Sequence, residues 1–193
     1  VDDVRVLTNR DVAAVAAPIP STQIFQMGSD PESPETIWVD TDDARLPVAE
    51  LLADNDIVVN CVLQDPTAPQ VFVTEDDLSD FPAGSLIVDV SCDAGMGFDW
   101  ARPTSFAEPM IRVANDVRYY AVDHSPSYLW NSATWEISEA LLPHLETVLA
   151  GPAAWDASAT IARAIEIRDG TVLNPAILAF QEREQAYPHR VLR

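Results

Sequence analysis

The 193-residue chain contains no lysine, and its basic side chains are eleven arginines set against 31 aspartates and glutamates. The formal net charge at pH 7 is −20. A protein that binds nucleic acid needs clustered cations to neutralise phosphates. We therefore expect no nucleic-acid partner.

Long apolar runs are missing as well, since no stretch approaches the roughly 20 residues of a membrane-spanning helix. The first residues also lack the basic segment that opens a signal peptide. We therefore expect no membrane association and a cytoplasmic location. The two cysteines, Cys61 and Cys92, are far apart, and with the three histidines they show no ligand-like spacing. We expect two buried, reduced thiols and no metal site.

Glycine is scarce, with six residues and no GxGxxG motif. In dinucleotide-binding sheets that motif forms the turn after the first strand and receives the pyrophosphate. If this chain folds into such a sheet, we expect the first strand and its turn to precede Val1.

Several short runs of apolar residues predict strands that are buried in a parallel sheet with helices on both faces. These runs are Val4–Leu7, 36–39, Asp56–Leu63, Ser85–Val90 and Arg118–Val122. A helix is predicted from Arg45 to Ala53, and the 48% apolar content supports a real core. The predicted fold class is α/β: an incomplete Rossmann-like, doubly wound parallel sheet followed by C-terminal helices.

The last third of the chain is predicted to be helical. Apolar residues, including aromatic ones that we expect in the core, recur at helical spacing from Trp130 to Val148, and Pro143 should kink or restart this helix. A second helix is predicted over residues 157–167, ending at Asp169-Gly170. Asn174-Pro175 should open a third helix that runs to about residue 184.

Polar side chains follow each of the four main predicted strands. In parallel sheets ligands bind outside the carboxyl ends of the strands. The sequence therefore predicts a binding site at one edge of the sheet. The strand ends are Thr8-Asn9-Arg10, Cys61-Val62-Leu63-Gln64, Ser91-Cys92-Asp93 and Asp123-His124-Ser125.

Three long segments carry a resemblance to a known family: DIVVNCVLQD, LIVDVSCDAGMGFDWARPTSF and YYAVDHSPSYLWNSATWEISEALLPHLETVL. They resemble the cofactor-binding domain of the alanine dehydrogenase/saccharopine dehydrogenase superfamily, and most of all its N5-(carboxyethyl)ornithine synthases. The resemblance extends from Asp56 to Arg190 and is weak over the first fifty residues.

The resemblance implies an NAD(P)-dependent oxidoreductase with small-molecule substrates. Such an enzyme would use NADPH to reduce the imine formed between a 2-oxo acid such as pyruvate and the side-chain amino group of ornithine, giving N5-(carboxyethyl)ornithine. Two alternatives remain open. One is a saccharopine or alanine dehydrogenase-like activity. The other is a non-catalytic nucleotide-binding subunit that requires a partner chain.

The resemblance also implies a domain organisation. Residues 1–126 would form a partial NAD(P)-binding domain that lacks its Gly-rich first turn. Residues 127–193 would form helices that pack on the sheet and toward an N-terminal catalytic domain outside this chain. We expect this chain alone not to turn over substrate. The long helix after Ser127 is equally suited to an interface between copies in a homo-oligomer.

The choice of nucleotide is predicted from the end of the first strand. An aspartate or glutamate there normally binds the ribose hydroxyls of NAD, whereas an arginine suits the 2′-phosphate of NADP. Asn9 and Arg10 occupy this position, with Asp11 just beyond. They favour NADP, with NAD still possible, unless Arg10 is an ordinary surface arginine.

The other cofactor-binding candidates follow from matches to the family. Cys61, Val62 and Leu63 match a segment whose backbone passes along the nucleotide, although ordinary core packing explains their apolar character equally well. Ser91 and Val122 are assigned to the cofactor site because they lie at the ends of the next two predicted strands.

The catalytic candidates are Asp93, Asp123 and His124. Asp93 matches an active-site aspartate of the relatives and would hold a substrate ammonium or orient a general acid, unless it only caps the loop before Gly95. Asp123, His124 and Ser125 match the loop that closes over the nicotinamide, so all three are also cofactor-binding candidates. Asp123 would bind the cofactor amide or the substrate amine, and His124 would donate a hydrogen bond or a proton.

Overall fold

The computed structural model describes residues 3–15, 21–30, 33–65 and 68–192. The chain divides into two compact units, Val1–Asp123 and His124–Arg193.

The first unit begins with a four-stranded sheet in the order β1-β2-β3-β4. Its strands are β1 (Val4–Thr8), β2 (Thr22–Asp30), β3 (Ser33–Asp40) and β4 (Arg45–Pro47). β1 and β2 are parallel, and the other two pairs are antiparallel. The helix predicted from Arg45 is shorter, because the first three of its residues pair with β3 and only α1 (Val48–Ala53) is helical.

A second sheet of the first unit has the order β5-β7-β10-β9. Its strands are β5 (Ile57–Asn60), β7 (Leu86–Asp89), β9 (Met110–Arg112) and β10 (Arg118–Tyr120), while β6 (Val71–Val73) pairs with β8 (Gly97–Phe98). β5, β7 and β10 are parallel, and β9 is antiparallel to β10. The three parallel strands confirm the predicted Rossmann-like α/β character.

One detail differs from the prediction: among the described residues, β1 pairs with β2 in the first sheet and forms no ladder with β5. The connections between the parallel strands contain 3-10 helices (Asp76–Asp80 and Ala114–Asp116) and short strands. In β5, Val58 and Asn60 are buried while Ile57 and Val59 are exposed. This strand therefore has one exposed face, which the apolar run did not predict.

The second unit contains helices and one hairpin. Its elements are α2 (Trp130–Leu149), α3 (Pro152–Ala157), α4 (Ala159–Ala164), β11 (Ile167–Arg168), β12 (Thr171–Val172) and α5 (Pro175–Phe180). The Asn174 side chain accepts a hydrogen bond from Ala176 N, as expected of a helix cap. Within the residues described, none of the helices has the length and apolar character that crossing a membrane requires.

Helix α2 runs without a break through Pro143, so it does not restart there, which was one alternative of the prediction. Two other expectations for this unit are wrong. No residue of α2 is buried, so its apolar and aromatic side chains are not core. Asp169 and Gly170, expected to end a helix, form the turn between β11 and β12. Their φ values of 50° and 80° are those that a two-residue hairpin turn requires.

Candidate functional site

The carboxyl ends of β5, β7 and β10 meet at one edge of the second sheet. Register pairs Asn60 with Asp89, and Val88 with Tyr120, so the polypeptide leaves all three strands at nearly the same level. This is the edge at which parallel α/β sheets bind ligands. Three of the four predicted strand ends therefore do come together.

A buried carboxylate lies just inside this edge. Asp89 is 1% exposed. Its Oδ1 accepts hydrogen bonds from Asn60 Nδ2 at 2.9 Å and from Cys92 N at 3.1 Å, and its Oδ2 accepts one from the Tyr119 hydroxyl at 2.7 Å. We call Asn60, Asp89, Cys92 and Tyr119 the Asp89 cluster. Burial and the bond to Asp89 raise the pKa of Tyr119, so this hydroxyl remains a donor.

The Asp89 cluster is connected to the loop after β5. Asn60 Oδ1 accepts a hydrogen bond from Val62 N at 3.1 Å, and the Ser91 hydroxyl donates to the Val62 carbonyl at 2.7 Å. Both backbone polar groups of Val62 are thus held. The structure brings together Val62 and Ser91, two predicted cofactor-binding residues on different loops.

Core packing does not explain the apolar residues that flank Val62. Leu63 is 96% exposed, and Cys61 is exposed as well. The expectation of two buried thiols is therefore wrong for Cys61, which follows the last residue of β5. It is correct for Cys92, and both cysteines are free thiols.

Cys92 lies among carboxylates. Its Sγ is 3.7 Å from Asp123 Oδ1. Burial, followed by the charges of Asp123, Asp89 and Asp93, raises the pKa of Cys92 to about 11. The thiol is therefore neutral at pH 7, and the carboxylates around it give this edge a negative potential that favours a cation.

The remaining candidates at this edge differ in exposure. Asp93 and Asp123 are exposed, whereas Val122 is 5% exposed. The buried Val122 side chain leaves only its backbone for a cofactor contact. His124 and Ser125 follow directly in the chain but belong to the second unit.

Asn9 and Arg10 are exposed at the end of β1, where Arg10 N donates to Thr8 Oγ1 at 3.1 Å. The ladder of β1 does not bring these two residues beside the other strand ends. The Asp11 carboxylate accepts a hydrogen bond from Ala13 N at 2.9 Å and caps a short 3-10 helix.

Sequence reasoning missed Asn60, Asp89 and Tyr119, which we read as parts of apolar strands. The available signal was a polar residue inside an otherwise apolar run, since a buried polar side chain needs partners. A Cβ atom at Gly97 would lie 2.8 Å from Asn60 Nδ2, so this glycine makes room for the cluster. Over the described ranges, no group of three or more potential ligands could hold a metal ion.

The chain matches the family model "Alanine dehydrogenase/PNT, C-terminal domain" over residues 7–175. It is 34% identical over 94 residues to an alanine dehydrogenase of Halomonas elongata and 25% identical over 136 residues to that of Mycolicibacterium smegmatis. These alignments cover 49% and 69% of this chain, and 25% and 36% of the relatives.

Two further similarities extend this comparison. An N(5)-(carboxyethyl)ornithine synthase of Clostridium botulinum is 29% identical over 94 residues, which are 49% of this chain and 29% of that protein. A solved L-alanine dehydrogenase superposes with a TM-score of 0.64 at 18% identity, covering 92% of this chain and 45% of that one. The chain thus spans less than half the length of these relatives.

Proposed function

Because this chain belongs to the alanine dehydrogenase/PNT C-terminal domain family, we propose that it is the nucleotide-binding part of an NAD(P)-dependent oxidoreductase that acts on amino acids. The observation that carries this proposal is the edge formed by β5, β7 and β10, where Val62, Ser91 and Asp123 surround the ends of parallel strands. A nicotinamide nucleotide would lie along this edge and supply the hydride.

The charge of the edge supports an amino substrate. Asp93 and Asp123 are exposed carboxylates whose charges both reach the Cys92 sulfur. A cationic ammonium or an iminium carbon is attracted to such a potential. In this proposal Asp93 binds or orients the amine, while Asp123 contacts the nicotinamide side of the site.

Two reactions fit this site, and they differ in the amine. One is reductive condensation of pyruvate with the side-chain amine of ornithine, as the name of the Clostridium relative suggests. The other is reductive amination of pyruvate by ammonia, as the more frequent name alanine dehydrogenase suggests. We propose the condensation first because the segments around Asp93 and Asp123 resemble those of N5-(carboxyethyl)ornithine synthases, although the Halomonas alanine dehydrogenase is the more identical of the two relatives, at 34% against 29%.

The test is an assay of the complete protein with pyruvate, reduced nucleotide and one amine at a time, following loss of absorbance of the nucleotide. We expect oxidation with ornithine, and weaker or no oxidation with lysine or ammonia. Oxidation with ammonia alone would contradict the condensation and leave the dehydrogenase proposal standing. No oxidation with any amine, together with no nucleotide binding, would contradict both.

We also propose NADP as the preferred nucleotide, with Arg10 binding the 2′-phosphate. The exposed position of Arg10 at the end of β1 supports this, because an arginine there suits a 2′-phosphate. Replacing Arg10 with alanine should weaken NADPH binding about tenfold, since one charge-assisted bond contributes roughly 1.5 kcal/mol. NADH binding should stay unchanged, as measured by fluorescence titration. The control is Arg45→Ala, an exposed arginine of β4. Equal losses for both nucleotides would argue against a phosphate contact.

The division of the sheet supports the proposal that part of the nucleotide site comes from elsewhere. In the common dinucleotide-binding order, the first strand lies between the second and the fourth. β1 and β5 would occupy those two positions, and each is the outermost strand of its own sheet. Arg5 Nη1 of β1 contacts Asp54 Oδ2, three residues before β5, at 2.8 Å. We propose that a strand with a Gly-rich turn fits between β1 and β5.

We also propose a role for helix α2, none of whose residues is buried. Its exposed face would pack against the catalytic domain of the complete protein.

A further inference from the structure

The buried carboxylate of Asp89 has a feature that a packing role does not explain. It is 1% exposed, yet its three donors are neutral groups: a side-chain amide, a backbone N–H and a phenol. Removing a carboxylate from water is costly, and an apolar residue of similar size would often stabilise a core as well or better. The position therefore calls for a role that only an acceptor with several lone pairs can perform.

The hydrogen bonds of Asp89 converge on the two loops of the proposed site. Through Cys92 N it holds the first turn after β7, and through Asn60 it holds the turn after β5, because Asn60 Oδ1 binds Val62 N. Ser91 then joins the two loops at the Val62 carbonyl. One carboxylate thus fixes the relative positions of two chain segments that are thirty residues apart in sequence.

The backbone at Cys92 strengthens this interpretation. Its φ is 47°, in the left-handed region, which costs a non-glycine residue about 1–2 kcal/mol. The hydrogen bond from Cys92 N to Asp89 offsets this cost. Cys92 immediately precedes Asp93. The unusual backbone of Cys92 therefore sets the direction of the chain into Asp93, whose carboxylate we propose to bind the substrate amine.

We propose that Asp89 is a positioning residue, which holds the loops after β5 and β7 in fixed positions relative to each other. In this way it places Val62 against the nucleotide and Asp93 against the amine. The inference deepens the proposed function and rests on it for the identity of the ligands. The positioning itself can be measured without any ligand.

The experiment measures both loops in the 193-residue chain with Cys61→Ser, so that Cys92 is the remaining thiol. The readouts are amide hydrogen exchange of residues 61–64 and 90–93 and the rate at which a disulfide reagent labels Cys92. In Asp89→Ala we expect both segments to exchange, and Cys92 to react, at least about tenfold faster. The loop after β7 loses the hydrogen bond from Cys92 N to a charged group, and the loop after β5 loses the bond that holds Asn60 in place. Asp89→Asn should restore rates near those of the parent, since its amide oxygen still serves Asn60 and Cys92 while its N–H₂ faces Tyr119.

Two further variants make the result specific. Asn60→Ala should accelerate exchange in residues 61–64 alone, because Cys92 N still reaches Asp89. Val117→Ala, a fully buried residue before β10, should lower stability without accelerating either segment. The proposal is overturned if Asp89→Ala leaves both segments at parent rates, or if Val117→Ala accelerates them equally. If Asp89→Ala does not fold, the test rests on Asn60→Ala. Equal acceleration of hydrogen exchange in both segments of Asn60→Ala then overturns the proposal.

Nucleotide binding separates this inference from the proposed function. In the complete protein, Asp89→Ala should weaken binding of reduced nucleotide at least about tenfold, the loss expected from one displaced hydrogen bond, whereas Val117→Ala should not. If Asp89→Ala leaves binding unchanged, the coupling to the nucleotide is wrong. If the parent protein binds neither NADH nor NADPH while the exchange pattern holds, the proposed function fails and the positioning role of Asp89 stands.

Discussion

Replacing Gly97 with alanine should lower the free energy of unfolding by about 2–4 kcal/mol, from backbone strain plus a disturbed buried hydrogen bond. Gly97 has a φ of 79°, and an added Cβ would lie 2.8 Å from Asn60 Nδ2. A flexible surface amide would turn away at little cost. The Asn60 amide is 5% exposed and donates to Asp89, so moving it leaves a buried carboxylate short of a donor.

Gly95 provides the matched control for this substitution. Its φ of 69° is similar, but an added Cβ meets no atom within 4 Å. Gly95→Ala should therefore cost only the backbone term, about 1–2 kcal/mol. Urea unfolding measures the free energy of unfolding of both variants, which can be compared if their m-values are equal. The difference between the two losses is the cost of displacing the Asn60 side chain. Equal losses would mean that Asn60 moves freely and that the Asp89 cluster is not rigid.

The three parallel strands of the second sheet could be predicted from the sequence. Apolar runs ending in polar residues gave β5, β7 and β10 and the edge at which they meet. Short-range rules also worked where the structure is local, as in the Asn174 cap of α5. They failed at Asp169-Gly170, because the same two residues suit both a helix end and a hairpin turn.

The interior of the site could not be predicted, for a physical reason. Asn60 and Asp89 lie about thirty residues apart in sequence, and only the strand register places them side by side. Within its own run, each reads as an interruption of an apolar strand. The register depends on pairing between segments distant in sequence, which periodicity within one segment does not contain. The division into two sheets escaped prediction for the same reason, because strand order is a property of the assembled fold.

The candidate residues fall into two groups that the sequence did not separate. Val62 and Ser91 are bound to each other through a side chain–backbone hydrogen bond, and their position is a consequence of the Asp89 cluster. Asp93 and Asp123 extend beyond the strand ends with exposed side chains. The first group suits a fixed backbone surface for a nucleotide, and the second suits charges that meet a substrate.

Replacing Asp93 with asparagine in the complete protein should lower kcat/KM at least about a hundredfold, the usual range for a group that orients or assists proton transfer. The reason is the loss of a full negative charge where the amine or iminium develops positive charge. Nucleotide affinity should change little, because Asp93 is placed on the substrate side of the proposed site. A rise in KM for the amine with unchanged kcat would indicate a binding role, and a fall in kcat a role in the chemical step.

Asp80→Asn is the control for this prediction, since it removes the same charge from an exposed residue. Asp80 lies on the 3-10 helix that precedes β7, whereas Asp93 follows that strand, so the two carboxylates are at opposite ends of β7. A general effect of net charge on a protein at −20 would appear in both variants. Steady-state rates for the three proteins, with nucleotide and amine varied separately, distinguish the cases. If Asp93→Asn and Asp80→Asn behave alike while the parent enzyme is active, Asp93 has no part in the reaction, and its carboxylate serves the loop before Gly95.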